Sequence, residues 1–190
     1  MVREKGRIEQ MLKIISTGLE GPERSALDAA IELKCPWGGT TSLGRSGHFA
    51  PIPERYFTPS EFGVLVEGSS SRPMQSRSVN AAVADGTLIL RWANLIVPPL
   101  CKQTMISLRH ARGKYKAADP TRTYEVAQVV KWISESGIET LNISSDPKDP
   151  DDPFTKRSIV FMRDIITFTL MYQNHGVKIW TDQVPIPNQK

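Results

Sequence analysis

Cysteine, histidine and long apolar runs are all scarce in this chain, and each scarcity closes off a class of function. Cys35 and Cys101 are the only two cysteines in 190 residues. They form no Cys-x-x-Cys pair and cannot make a disulfide framework, so both are expected to be reduced and buried. His48, His110 and His175 are far apart, with none of the H-x-x-x-H or H-E-x-x-H spacings that hold zinc. No metal site is therefore predicted. A Gly-x-Ser-x-Gly elbow for acyl transfer is missing too. No apolar run reaches the ~18 residues of a membrane span, and no basic leader precedes an apolar core and a cleavage site. The expectation is a soluble, cytoplasmic chain with no membrane partner.

Charge of one sign is also in short supply, the formal net charge being only +4. Much of that excess lies in residues 1–10, where Arg3, Lys5 and Arg7 outnumber Glu4 and Glu9. No aromatic residue interleaves these charges, so a solvated basic tail is expected and nucleic acid is not.

What the chain does have is alternation. Leu12–Thr17 reads as a buried strand. Pro22 then suits the first position of a helix, with Ala26, Leu27, Ala30, Ile31 and Leu33 at helical spacing until Pro36 forbids continuation. Residues 37–73 are dense in Gly, Pro and Ser and read as a long loop, of the kind that carries function or a lid. A helix over Met74–Ala84, a strand over Thr87–Trp92 and a helix over Pro99–Arg112 follow. Tyr124–Ser136 is predicted helical with Val126, Val129, Val130 and Ile133 inward. Thr140–Ser144 is a strand, Phe154–Asn174 a long helix and Val177–Trp180 a short last strand. Strands separated by helices call for a doubly wound, mostly parallel sheet with helices on both faces, an α/β Rossmann-like domain over residues 11–181. Residues 182–190 form a C-terminal tail. The sequon at Asn142 falls inside a strand and is discounted.

The most informative stretch is Leu12 to Ala30, where strand, glycine-bearing turn and helix start follow in order. Such a turn brings backbone N–H groups and the positive end of a helix dipole to one point, the usual seat of a phosphate in an open α/β sheet. Gly18-Leu19-Glu20-Gly21 is not the complete dinucleotide fingerprint. A competing match, Gly39 to Ser46, has P-loop spacing with Arg45 in place of lysine, but Gly47 to Pro53 cannot form the helix that a P-loop requires. The acidic run Asp146, Asp149, Asp151 and Asp152 is broken by prolines and reads as a solvated turn capping the last helix rather than a cation loop. Arg24, Arg45 and the helix start Lys102-Gln103-Thr104 could complete an anion site at the C-terminal edge of the strands.

The blocks Ser16-x-Gly18-x-x-Gly21-x-x-Arg24-x-Ala26-Leu27-Asp28-Ala29-Ala30, Gly38-Gly39, Gly44-Arg45, Pro51-Ile52-Pro53-x-Arg55-Tyr56, Asn80, Asp85-x-Thr87-Leu88-Ile89, Gly113-Lys114, Trp132 and Gly137-Ile138-Glu139-x-Leu141-Asn142-Ile143 together resemble the molybdenum-carrier family. That group comprises relatives of the molybdenum cofactor carrier protein and is allied to lysine-decarboxylase-like phosphoribohydrolases. Order and spacing agree over roughly Leu12–Phe161. The family's first turn reads S-G-G-Q-T-G-x-D-R, against which this chain has Thr17, Leu19, Glu20 and Glu23 as departures. Pro98-Pro99-Leu100 replaces a Gly-Gly-Thr turn, and Ser145 to Asp149 a G-P-R-E-S loop. The resemblance implies a homo-oligomer, dimer or tetramer, that binds a phosphate-bearing ligand without catalysis: the molybdenum cofactor or something nucleotide-like. Gly18, Gly21, Gly38 and Gly39 would give backbone access, Arg24 and Arg45 positive charge, and Asn80, Asp85 and Thr104 orientation. Two other readings stay open. One is a degenerate member acting as a structural or interaction module. The other is a nucleotide-processing hydrolase, for which Glu20 is the only carboxylate placed to act.

Overall fold

Short apolar strands cannot stay in water on either face, and amphipathic helices between them supply the cover. In the computed structural model, which describes residues 11–93, 99–110 and 112–175, this logic gives one six-stranded parallel sheet. In chain order the elements are β1 (Lys13–Ile15), α1 (Pro22–Glu32), β2 (Trp37–Thr41), β3 (Gly63–Glu67), α2 (Pro73–Val83), β4 (Gly86–Leu90), α3 (Pro99–His110), β5 (Tyr115–Ala118), α4 (Tyr124–Glu135), β6 (Thr140–Ser144) and α5 (Pro153–His175). The strands lie in the order β3-β2-β1-β6-β4-β5. From β1 the chain winds outward to β3, crosses to β4 and β5, and returns to insert β6 at the centre, between β1 and β4. The direction of winding thus reverses at the β1/β6 boundary, and the carboxyl ends of the strands at such a switch point are where open α/β sheets place ligands.

The core follows the predicted periodicities. Val126, Val129, Val130 and Ile133 of α4 are all buried, as is every residue of β4. α5 packs against α1 and α4, while α2 packs against α3. Cys35 and Cys101 are free and fully buried. Asn142 of the discounted sequon is buried as well, its amide donating to Thr87 Oγ1 at 3.2 Å.

Three expectations need correction. Residues 37–73 are not one long loop, because they contain β2, a single 3-10 turn at Glu54–Tyr56, and β3. β2 reads Trp-Gly-Gly-Thr-Thr, and its two glycines hide a strand from any propensity argument. β5 escaped notice because Tyr-Lys-Ala-Ala is an edge strand, mostly half-buried and without an apolar signature. β1 is also shorter than Leu12–Thr17: Ser16 and Thr17 already belong to the turn. The proposed strand Val177–Trp180 and both tails lie outside the described residues.

Candidate functional site

The turn after β1 is held by its own side chains. Ser16 Oγ donates to the Glu23 carbonyl at 3.0 Å and accepts from Gly18 N–H at 3.1 Å. Gly18 and Gly21 take φ values of 73° and 92°, conformations that side chains resist. A Cβ on Gly21 would stand 2.8 Å from Lys148 N, since the segment after β6 lies across this turn. Lys148 N–H donates to the Glu20 carbonyl at 3.2 Å.

At the switch point itself, Glu23 from the first turn of α1 meets Arg77 from α2. The carboxylate and Nη2 are 2.8 Å apart, and each side chain is only 2% exposed. Glu23 also accepts from Thr17 Oγ1 and from Ser145 N–H at 3.0 Å. Arg77 continues to the Ser145 carbonyl and to Ser144 Oγ, which also lies 3.4 Å from Thr104 Oγ1. One buried network thereby joins the turn after β1 with α1, α2, α3 and β6.

Beside it, Glu20 is 1% exposed, and its carboxylate sits in a cradle of main-chain donors. Oε2 accepts from His48 N–H at 2.8 Å, and Oε1 accepts from Ala50 N–H at 2.8 Å and Phe49 N–H at 3.3 Å. Arg24 Nη2 lies 3.7 Å away. Burial by itself would raise the carboxyl's pKa. The N–H groups of His48, Ala50 and Glu20 itself, together with the Arg24 charge, outweigh that and bring it below the usual 4.5. A depressed carboxylate stabilises the folded state above its unfolded pKa and loses that contribution as pH falls through the folded value. The His48 and Ala50 amides should therefore be protected from hydrogen exchange near neutral pH and lose protection in acid below pH 4.5. Equal protection at both ends of the titration would dissociate the cradle from Glu20 ionisation.

The remaining candidate residues divide between this edge and elsewhere. Arg24 Nε donates to the Gly18 carbonyl at 3.1 Å, while its buried Nη2 has no hydrogen-bond partner. Arg45 is neutralised: Glu67 lies 3.1 Å from Nε, Glu54 meets Nη1, and the guanidinium stacks 4.0 Å above the Phe57 ring. Gly38 and Gly39 lie within β2, where hypothetical Cβ atoms would meet Val64 O at 2.9 Å and Ser16 O at 2.1 Å. Their lack of side chains serves strand packing. Asn80 sutures α2 to β2, accepting from Thr40 N–H at 2.8 Å and donating to Thr40 O at 3.0 Å. Asn80→Ala should lower stability by about 1–3 kcal/mol in urea unfolding, because the Thr40 peptide groups lose their partners. Asp85 departs furthest from expectation. It precedes β4 and caps Glu139 N–H at 3.1 Å and Thr140 N–H at 2.8 Å, so it stands at the amino edge of the sheet. It cannot share a ligand with the switch point.

The structure thus gathers Gly18, Gly21, Arg24 and Thr104 at the carboxyl edge and adds Glu23, Arg77, Ser144 and Ser145, which motif reading overlooked. A signal for Arg77 was present. Ser76, Arg77 and Asn80 place a polar stripe at helical spacing, and all three are buried. Alongside lies a shallow cleft of about 60 Å³ lined by Arg91, Trp92, Asp146, Lys148 and Phe154 among others. Burial raises the pKa of the Asp146 carboxyl there, against the lowering influence of Arg77. Burial first, and the Asp146 charge second, push the neighbouring Cys101 thiol up to about 12, so it is no nucleophile near neutral pH. Among the described residues no group of three or more His, Cys, Asp or Glu could hold a metal ion, and no helix is long and apolar enough to cross a membrane.

Comparison with known proteins agrees with this architecture. The family model for the circularly permuted YpsA SLOG family matches residues 14–165. A crystal structure of a protein named "putative molybdenum carrier protein", from Syntrophus aciditrophicus, superposes with a TM-score of 0.72 at 25% identity. The match covers 82% of this chain and 95% of that one. No curated protein matches by sequence.

Proposed function

The chain belongs to the circularly permuted YpsA SLOG family, and we propose that it is a non-catalytic binding protein for a phosphate-bearing ligand. The cargo would be of the kind named by its structural neighbour's description, a molybdenum-related cofactor or a nucleotide-like molecule. The observation that carries this reading is the buried Arg24 Nη2, which has no hydrogen-bond partner and lies beside the β1–α1 turn at the switch point. Its one anionic neighbour, Glu20 Oε1, stands 3.7 Å away, beyond hydrogen-bond reach, so the guanidinium N–H keeps the capacity to donate to a ligand oxygen. Both carboxylates of the turn are saturated, Glu20 by main-chain donors and Glu23 by Arg77, so neither is free to act as a general base. That argues against the hydrolase reading.

Native mass spectrometry of freshly purified protein tests the proposal. The expected result is a retained small molecule bearing phosphate, lost or strongly reduced in Arg24→Ala, with no turnover of nucleoside monophosphates. Release of a free base from such a substrate, abolished by Glu20→Gln, would replace a carrier with a hydrolase. The self-filled turn also favours a second reading, an interaction module that keeps the fold. An apo protein whose thermal stability ignores every added nucleotide and oxyanion would select it. Asp85→Asn should leave any binding unchanged, because Asp85 lies at the opposite edge.

A further inference from the structure

We propose that the main-chain amides of His48, Phe49 and Ala50, with Arg24 beside them, form an oxyanion site whose resident is the Glu20 carboxylate, and that an external oxyanion enters by displacing it. The geometry is that of a bound anion rather than of a chance contact. Three successive N–H groups converge on the two oxygens of one carboxylate at 2.8, 2.8 and 3.3 Å, which is the concave main-chain arrangement that binds anions elsewhere. The loop is shaped around the carboxylate so tightly that a Cβ at Gly47 would lie 2.1 Å from Glu20 Oε1 and 1.9 Å from Ala50 O. Arg24 adds a positive charge 3.7 Å from Oε1, and its Nη2 has no hydrogen bond. Apart from the N–H of Glu20 itself, the hydrogen-bond donors to this carboxylate all come from the loop, so the side chain is the tethered occupant and the loop is the site. The class of ligand is a compact oxyanion: inorganic phosphate, sulfate, molybdate or a terminal phosphoryl group, all of which offer several acceptor oxygens to converging donors.

This inference goes beyond the cargo reading, because it concerns the loop of residues 47–50 and its tests use inorganic anions on the folded full chain. A tethered carboxylate competes at a high local concentration, so the wild type should bind phosphate, sulfate or molybdate weakly. Glu20→Ala should bind them at least about tenfold more tightly, since both the competitor and its negative charge are gone. The readouts are thermal shift and amide chemical-shift titration, in which the His48 and Ala50 resonances should move in saturable fashion. In Glu20→Ala/Gly47→Ala the gain should vanish, because the added methyl distorts the cradle. A general salt effect would survive in that double variant and would overturn the proposal. If Glu20→Ala does not fold in plain buffer, phosphate or sulfate should restore folding, and failure of every anion to do so overturns the proposal as well. A folded Glu20→Ala with no gain in anion affinity does the same. Absence of a retained cargo in the wild type would count against the function proposed above and would leave this test intact.

Discussion

Arg77→Ala is expected to destabilise the protein by about 3–5 kcal/mol, the largest effect of any single side-chain removal at the candidate site. The reason is the asymmetry of buried ion pairs. Glu23 and Arg77 face each other at 2.8 Å with 2% of each side chain exposed, so removing the guanidinium strands a carboxylate away from water. The network offers little relief, because Thr17 Oγ1 and Ser145 N–H already donate to that carboxylate. Ser144 and Ser145 would lose their Arg77 contacts at the same time. The double variant Glu23→Gln/Arg77→Met should recover a substantial part of the loss, since neither charge is then left unpaired. Urea unfolding of wild type, Glu23→Gln, Arg77→Met and the double variant measures the coupling. A loss below about 1 kcal/mol in Arg77→Ala would mean that the pair behaves as a solvated surface bridge.

Gly39→Ala should be comparably severe and for a different reason. The position has φ 126°, and the new Cβ would sit 2.1 Å from the Ser16 carbonyl oxygen and 3.0 Å from its nitrogen. These atoms are backbone of the adjoining strand and turn, so no side chain can move aside. Overpacking of this kind destabilises by about 1–3 kcal/mol or more, and the unfavourable backbone conformation adds roughly 1–2 kcal/mol. The expected outcome is a protein that unfolds at markedly lower denaturant or is recovered only as aggregate. It distinguishes the two roles for this glycine. If Gly39 served chiefly to admit a ligand, Gly39→Ala would fold with wild-type stability and lose only binding.

Amphipathic patterns made much of the architecture legible. The buried run of β4, the inward stripe of α4 and the strand Thr140–Ser144 lie where spacing places them, since burial of these faces is a local demand that each segment meets by its own composition. β2 was illegible for the opposite reason. Its glycines satisfy neighbours, Ser16 on one side and Val64 on the other, and propensity carries no record of a neighbour. The same gap explains the site. Glycines at 38 and 39 look like ligand access, and the structure sets them against the Val64 and Ser16 carbonyls within the sheet. Arg45 looks like a free cation and is claimed by Glu54, Glu67 and Phe57.

Glu20 shows where the boundary falls. Its negative charge is visible in the sequence and, taken alone, is at odds with a strand–turn–helix expected to seat an anion. Only the fold reveals that residues 48–50 supply the amides that accommodate it, from a segment 28 to 30 positions away. The sequence by itself determined the class of fold, the alternation of strand and helix and the strand–turn–helix at the centre, because those depend on periodicity and on residues close along the chain. Tertiary structure alone decided which polar groups meet. The pairing of Glu23 with Arg77 and the cradle around Glu20 join segments distant along the chain, and that meeting is set by long-range packing that no local pattern records.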